Sequence, residues 1–303
     1  MPRTKNTQGA LYMAASMAGF ACSDALSKSV ISVMNAGEII FIRGLFTSII
    51  VYLLARHMGA LRSWKVILQP MIALRIACEA IAAGTYITAL GMMPIANASA
   101  IQQAVPLAVT LGAALFLKEP IGWRRCAAII VGFAGVLIIV RPDPQGFTTA
   151  ALLSIACMFA TVARDLATRC IGKDVPSLMV TVCTAVSISI FGALLTEPLG
   201  GWQPVSLTSF SHILLASVLV LIGYQATILA MRTGEISFVA PFRYISLIWS
   251  ALLGLIFFGE VPDAWTFIGA AIVIASGIYT FYRERKRQAA QPIAQESEPR
   301  VPA

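Results

Sequence analysis

The chain has 303 residues, of which 58% are hydrophobic and only 12% are charged. Soluble domains are about 45–50% apolar and about 25% charged, so this composition excludes a soluble globular enzyme. It also excludes a disordered chain, because disorder requires low hydrophobicity. The net charge of +8 fits the basic cytoplasmic loops of membrane proteins better than nucleic-acid binding. The composition therefore indicates a polytopic membrane protein, whose first partner is the lipid bilayer.

Apolar segments follow one another along the chain, and each is close to the length of about 20 residues that a membrane-spanning helix needs. Hydrocarbon tolerates only backbone that is hydrogen-bonded within the chain, so each segment is predicted to be helical. The segments are 9–28, 37–57, 70–91, 95–117, 123–141, 147–170, 177–197, 209–231, 236–258 and 263–283. The predicted fold class is an all-α membrane protein of ten transmembrane helices, with a disordered cytoplasmic tail over residues 288–303.

Basic residues are concentrated in alternate connections between these segments. If the amino terminus lies in the cytoplasm, the inner connections and ends hold most of the 22 Lys and Arg residues. The outer connections then hold only Lys28 and Arg141. Because cytoplasmic loops are enriched in Lys and Arg, both termini are predicted to be cytoplasmic.

The second half of the chain repeats the first at a shift of 141 residues. The matched positions include Asp24 with Asp165, Lys28 with Arg169, Ile95 with Ile236 and Glu119 with Glu260. Each half contains five predicted helices, and an odd number makes the second half enter the membrane from the opposite side. The sequence therefore predicts two inverted five-helix repeats, residues 9–141 and 147–283, an arrangement suited to alternating access around a site near the bilayer midplane.

Each half also carries a stretch of small and polar residues, then a helix, an acidic turn and a glycine-rich helix. These stretches run from Pro94-Ile-Ala-Asn-Ala-Ser-Ala to Phe116-Leu-Lys-Glu-Pro, and from Gly234-Glu-Ile-Ser-Phe-Val-Ala-Pro to Phe257-Phe-Gly-Glu-Val-Pro. Together with the repeats, they resemble the EamA-type transporters of the drug/metabolite transporter superfamily. The resemblance covers residues 9–283 and implies a secondary transporter of the bacterial inner membrane. Within that family the chain is similar to members that take up riboflavin, and an exporter of amino acids, their derivatives or other small metabolites is the alternative.

Two other functional classes are a membrane-embedded enzyme and a passive channel. The sequence contains no GxxxxGK, HExxH or GxSxG motif, so neither ATP-driven transport nor catalysis is predicted. The two histidines lie near the ends of predicted spans, and no two of the six cysteines are spaced as CxxC. We therefore expect no cofactor, no metal site and no enzyme activity.

Polar and aromatic residues within the spans are the candidates for contact with a substrate. The repeat register pairs Gln102 with Arg243 and Gln103 with Tyr244, at similar depth. Amides and a guanidinium can hydrogen-bond the heteroatoms of a planar molecule while rings stack on it, which would suit riboflavin. The candidate substrate-binding residues are Gln102, Gln103, Arg243, Tyr244, Tyr86, Tyr224 and Trp249. Alternatively, the two amides join neighbouring helices and Arg243 belongs to a structural pair.

Carboxylates within the spans are candidates for gating or for coupling to protons, because ionisable groups inside a membrane are functional by default. They are Asp24, Glu79 and Asp165. Glu79 lies four residues after Arg75, on the same helix face, so the two can also form a structural pair. Asp24 and Asp165 could likewise pair with Lys28 and Arg169, the basic residues four positions further on.

Prolines and glycines within the spans predict bends and close packing. Pro106 and Pro241 each free a carbonyl group and bend the helix that contains them. A face of small residues is formed by Gly132, Gly135, Gly269 and Gly277. Small residues let helices approach closely, so this face is predicted to pack helices together, and it is also a candidate interface for a homodimer.

Overall fold

The computed structural model describes residues 2–119, 121–141, 147–172, 175–233 and 236–296, and every regular element within these ranges is helical. The α-helices are α1 (Pro2–Val30), α2 (Ala36–His57), α3 (Pro70–Leu90), α4 (Ile95–Gln102), α5 (Val105–Phe116), α6 (Trp123–Val140), α7 (Thr149–Arg169), α8 (Ser177–Thr196), α9 (Leu207–Thr233), α10 (Ile236–Val239), α11 (Ile245–Phe258) and α12 (Ala264–Glu296). Shorter 3-10 turns occupy Trp64–Leu68, Glu197–Leu199 and Ala240–Tyr244.

Nine helical segments in the described part of the chain are long and apolar enough to cross a membrane. They are Ala36–His57, Pro70–Leu90, Ile95–Phe116, Trp123–Val140, Thr149–Arg169, Ser177–Leu199, Leu207–Met231, Ala240–Phe258 and Ala264–Arg283. Their ends agree with the sequence-based segments to within about four residues, which confirms the all-helical membrane class. The first predicted segment, 9–28, lies in α1, whose apolar residues are diluted by Asp24 and by serines.

Two of the long apolar segments are interrupted near proline. α4 ends at Gln102 and α5 begins at Val105, with Pro106 in its first turn. In the other segment, Pro241 lies in the 3-10 turn Ala240–Tyr244 that precedes α11. Proline lacks an N–H and its ring clashes with the preceding turn, so both segments depart from regular α-helix where the sequence predicted bends. The interruptions occupy positions that the repeat register matches with each other.

The helices pack mainly in pairs that join the two halves of the chain. α1 packs along α9, α2 along α8, α3 along α7, and α6 along α12, while α4 contacts α11. Each of these pairs takes one helix from residues 9–141 and one from residues 147–283. The two halves therefore share one helical bundle, and side chains from both halves meet in its interior.

Glycines allow the closest of these approaches. A Cβ atom on Gly192 of α8 would lie 2.5 Å from the backbone nitrogen of Phe41 in α2. A Cβ atom on Gly135 of α6 would lie 2.8 Å from the carbonyl oxygen of Gly269 in α12. Within the predicted glycine face, Gly135 and Gly269 thus pack α6 against α12, whereas Gly277 lies against Tyr244.

The carboxyl-terminal helix is longer than expected. α12 continues to Glu296, past the start of the tail that the sequence analysis predicted to be disordered over residues 288–303. Alanine, glutamine and glutamate are frequent there and have high helix propensity, so the backbone can stay helical beyond the membrane end. Residues 297–303 lie outside the described residues, as does the Gly234-Glu235 start of the second motif.

We expect Gly135→Ala to destabilise the protein, because the added methyl group would meet backbone of α12 that has no rotamer to relieve the overlap. Overpacking of this kind costs about 1–3 kcal/mol. The measurement is thermal unfolding of the purified protein in detergent. The control is Gly122→Ala, since no heavy atom lies within 4 Å of the added Cβ there. Equal stability of the two variants would contradict this account of the α6–α12 contact.

Candidate functional site

Charged side chains from four helices meet inside the bundle. The group comprises Asp24 of α1, Arg43 of α2, Arg75 and Glu79 of α3, and Arg164 and Asp165 of α7. We call these six residues the central charged cluster. Three positive and three negative charges balance one another, which reduces the penalty for placing ions within the span of a membrane.

Arg164 of α7 joins two of the carboxylates. Its Nη1 atom lies 2.9 Å from Oε2 of Glu79, and its Nη2 atom lies 2.7 Å from Oδ1 of Asp165. The side chains of Arg164 and Glu79 are 23% and 20% exposed. Charge-assisted bonds at these distances are among the strongest that side chains form, so this triad links α3 firmly to α7.

Arg75 of α3 contacts hydroxyl groups on two other helices. Its Nε atom donates to Oγ1 of Thr168 at 3.0 Å, and its Nη1 atom donates to Oγ1 of Thr184 at 2.5 Å. The expected pair between Arg75 and Glu79 is replaced by the bond between Glu79 and Arg164. The spacing of four residues brings Arg75 and Glu79 to one face of α3. The neighbouring helix α7 places the guanidinium of Arg164 directly beside the Glu79 carboxylate.

Asp24 of α1 is bound to Tyr86 of α3, with the tyrosine hydroxyl donating to Oδ2 at 2.8 Å. Arg43 lies within electrostatic range of both side chains. Asp24 thus has a hydroxyl donor and a neighbouring guanidinium inside the bundle. The sequence analysis had named Asp24 and Tyr86 for different roles, and the structure brings them together.

Tyr224 of α9 lies beside the central charged cluster. The residue is 52% exposed, and it lies within electrostatic range of Arg43, Arg75 and Arg164. These three charges come from three different helices. Phe20 packs edge-on against the ring, with centroids 5.1 Å apart.

At the end of α1, Lys28 and Glu260 form a salt bridge in which their side chains are 12% and 20% exposed. Lys28 also donates to the carbonyl oxygen of Met93 at 2.7 Å, and Glu260 accepts from the Ile95 N–H at 3.0 Å. We call Lys28 and Glu260 the α1-end pair. It links the end of α1 to the α3–α4 turn and to the end of α11, and Lys28 is therefore not the partner of Asp24.

Arg169 and Glu119 form a matching salt bridge, which we call the α7-end pair. Their side chains are 3.1 Å apart, and they are 50% and 56% exposed. Thr168, the residue before Arg169, contacts Arg75 near the start of α3. Lys28 contacts the turn that follows the end of α3. The two pairs therefore lie toward opposite ends of α3. Asp165 pairs with Arg164 rather than with Arg169. The end pairs are matched by the repeat register, but the α1-end pair is partly buried and the α7-end pair is exposed.

Gln102 and Gln103 each hydrogen-bond to a neighbouring helix. The Gln102 amide donates to the carbonyl oxygen of Ser154 in α7 at 3.2 Å, and the Gln103 amide donates to the hydroxyl of Ser246 in α11. Gln103 is buried. These contacts agree with the alternative interpretation, in which the amides join helices.

The other candidates near the second helix interruption point in different directions. Arg243 is exposed, whereas Tyr244 is buried with its hydroxyl group against Gly277. Trp249 packs in the same apolar group as Tyr86, and its buried Nε1–H has no protein acceptor among the described residues. A buried donor without a partner is costly, so the Nε1–H of Trp249 is available to donate a hydrogen bond to a water molecule or a ligand.

The sequence analysis did not name Arg43, Arg75 and Arg164 as site residues. Each is an ionisable residue inside a predicted span, which is the signal for a functional group in a membrane. What the sequence lacks is the partner of each arginine, because every partner except Asp165 comes from another helix. Only the packing of α3 on α7 reveals that Arg164 forms a salt bridge with Glu79.

Comparison with known proteins finds similarity to membrane transporters. Residues 7–141 match the EamA-like transporter family. Riboflavin transporters from Rhizobium johnstonii and Vibrio cholerae are 29% and 32% identical, over 71% and 64% of this chain and 70% and 65% of theirs. The pseudopaline exporter CntI of Pseudomonas aeruginosa is 29% identical over 86% of this chain and 90% of its own length. A solved crystal structure aligns with 92% of this chain and 98% of its own, with a TM-score of 0.62 and 18% identity, and so shares the fold.

Replacing Arg164 with Gln should destabilise the protein, because Glu79 and Asp165 would lose their shared cation. Breaking a buried ion pair on one side costs about 3–5 kcal/mol, and partial exposure reduces that value here. Thermal unfolding in detergent measures the effect.

The double variant Arg164→Gln/Glu79→Gln removes one charge of each sign and should recover part of the lost stability, because only Asp165 then lacks its cation. Arg169→Gln, at the exposed α7-end pair, is the control and should change stability by less than about 1 kcal/mol. If the double variant is less stable than Arg164→Gln alone, the charge-balance explanation is wrong.

Proposed function

We propose that this chain, whose residues 7–141 match the EamA-like transporter family and whose relatives are transporters rather than enzymes, carries a small polar metabolite across the membrane by alternating access. The observation that carries this proposal is the central charged cluster, with an ion pair toward each end of α3. The α1-end pair is mostly buried and the α7-end pair is exposed. In a transporter of this kind, one end closes while the other admits the substrate, whereas a passive channel would need both ends open at once.

Two inverted repeats, residues 9–141 and 147–283, provide the two-fold relation that alternating access needs. In this arrangement α1 is the tenth membrane-crossing helix. Helix packing supports the proposal: exchange of the two halves converts the α1–α9 pair into the α7–α3 pair, and converts α2–α8, α4–α11 and α6–α12 into themselves. The same exchange converts the α1-end pair into the α7-end pair.

The resemblance to bacterial transporters supports a position in the bacterial inner membrane, and the distribution of Lys and Arg supports cytoplasmic termini. The α1-end pair would then lie toward the periplasm and the α7-end pair toward the cytoplasm. Asp165, at 38% exposure, is also the more open carboxylate of the triad and lies on the side of the α7-end pair. We accordingly propose that this conformation opens toward the cytoplasm.

Riboflavin uptake is our leading substrate assignment. Riboflavin transporters are among the relatives that match the chain. The rings of Tyr86 and Tyr224 lie beside the central charged cluster, and Trp249 has a buried N–H without an acceptor among the described residues. Aromatic rings stack on a planar heterocycle, and a few hydrogen-bond donors and acceptors recognise the heteroatoms along its edge. Tyr86, Tyr224 and Trp249 therefore remain the strongest of the seven candidate substrate-binding residues.

Export of a zwitterionic metabolite is the second candidate, and an exporter, the pseudopaline exporter CntI, is also among the relatives. The observation that favours it is the central charged cluster. Arg43 and Arg75 could bind a carboxylate, since neither has a salt bridge with a carboxylate in the described structure, while Asp24 could bind an ammonium group. For such a substrate the carboxylates Asp24, Glu79 and Asp165 would act in binding as well as in gating or proton coupling.

The test of riboflavin uptake uses labelled riboflavin and a bacterial host that lacks its own importer. Cells that express the chain should show saturable uptake, and Tyr86→Phe should reduce it because Asp24 loses its hydroxyl donor. Arg56→Gln, a substitution on an exposed helix end, is the control for expression and insertion. Absence of uptake by well-inserted protein would overturn riboflavin as the substrate, and the same cells would then be assayed for export of zwitterionic amino-acid derivatives.

Charge exchange tests the α1-end pair. Lys28→Gln and Glu260→Gln should each reduce transport by about tenfold or more, because each leaves a buried charge without its partner. The double exchange Lys28→Glu/Glu260→Lys should restore part of the rate, which is measured per inserted protein. Glu119→Gln and Arg169→Gln are the matched variants at the exposed end, and we expect smaller losses. Equal losses at the two ends would contradict the assignment of a closed α1 end.

A further inference from the structure

A basic pocket lies on the outer surface of the bundle, at the end where α6 begins and α12 leaves the apolar span. It has a volume of about 360 Å³. Its lining consists of Gly122, Trp123, Arg124, Arg125, Arg283 and Lys286. None of these described lining residues is acidic, and the four cations come from both helices. The pocket is therefore a concentrated positive site rather than a set of isolated loop charges.

An apolar groove of about 420 Å³ continues from this pocket along the membrane-spanning parts of α6 and α12. Trp123 and Arg124 line both cavities. The groove is formed mainly by small side chains, including Ala127, Ala128 and Ala275, and Tyr279 lies along its edge. Small residues leave room for a chain to lie between the two helices.

The residues at the junction fit the level of lipid headgroups. Trp123 is 75% exposed and Tyr279 is 41% exposed, and such aromatic residues are typical of the membrane–water boundary. The guanidinium of Arg124 lies over the Trp123 ring, 5.3 Å from its centroid. This stacking orients the guanidinium at the mouth of the groove, where a phosphate attached to an acyl chain would lie.

We propose that this composite site binds an anionic phospholipid of the bilayer, with its phosphate headgroup in the basic pocket and an acyl chain in the groove. Basic pockets between transmembrane helices bind anionic headgroups in this way. Charge complementarity selects the lipid headgroup, since four cations surround a cavity of about 360 Å³ without a carboxylate among its lining residues. The site lies on α6 and α12, and it does not depend on which substrate the transporter carries.

Native mass spectrometry of the purified full chain tests the proposal. The protein in detergent is titrated with phosphatidylglycerol or with phosphatidylcholine of the same acyl composition. We expect one phosphatidylglycerol to be retained at concentrations at which phosphatidylcholine is lost. Arg124→Gln/Arg283→Gln/Lys286→Gln should weaken this retention by at least about tenfold, because each basic residue near an anionic surface contributes about fivefold.

The matched control is Arg56→Gln/Arg62→Gln/Lys65→Gln, which removes three charges from another exposed basic segment. It should retain phosphatidylglycerol as the unmodified chain does. Ala127→Trp fills the groove without a change of charge and should also weaken retention. The proposal is overturned if the two triple variants lose lipid equally, if both phospholipids are retained equally, or if Ala127→Trp has no effect. Displacement of the lipid by inorganic phosphate alone would likewise show a simple anion site.

Discussion

The structure depends on one constraint, which is that charges within the membrane must have partners. Arg164 satisfies it by holding Glu79 and Asp165 at 2.9 and 2.7 Å, which links α3 to α7. Arg75 satisfies its donors with Thr168 and Thr184, and Asp24 accepts from Tyr86. These side chains could have been replaced by apolar ones at little loss of stability. The proposed transport of a polar metabolite would explain their presence inside the bundle.

Close helix packing makes this arrangement possible. At Gly135 and Gly269, and again at Gly192, backbone lies where a Cβ atom would be, so facing helices leave no room for larger residues. Lipid offers no hydrophobic drive for helices to associate, and close van der Waals contact replaces it. The tight pairs α6–α12 and α2–α8 thus fix the spacing between helices that come from different halves of the chain.

The two end pairs differ in exposure. Lys28 and Glu260 are partly buried and hydrogen-bonded to the α3–α4 turn, whereas Arg169 and Glu119 are exposed. A less exposed pair carries more coupling energy, because water screens exposed charges. In the proposed alternating-access cycle, this difference distinguishes the two ends and would reverse when the protein opens to the other side.

Sequence alone determined the membrane class, the helical segments and the bends near Pro106 and Pro241, because hydrocarbon leaves the backbone few alternatives and apolar length is a local property. It also identified Asp24, Glu79 and Asp165 as ionisable groups within the spans, where charge is costly and a function is expected. Tertiary structure decided their partners. Glu79 binds Arg164 rather than Arg75, and Lys28 binds Glu260 rather than Asp24. Helix periodicity describes contacts within one helix, whereas these ion pairs join helices that lie far apart in the chain, and only their packing brings the charges together.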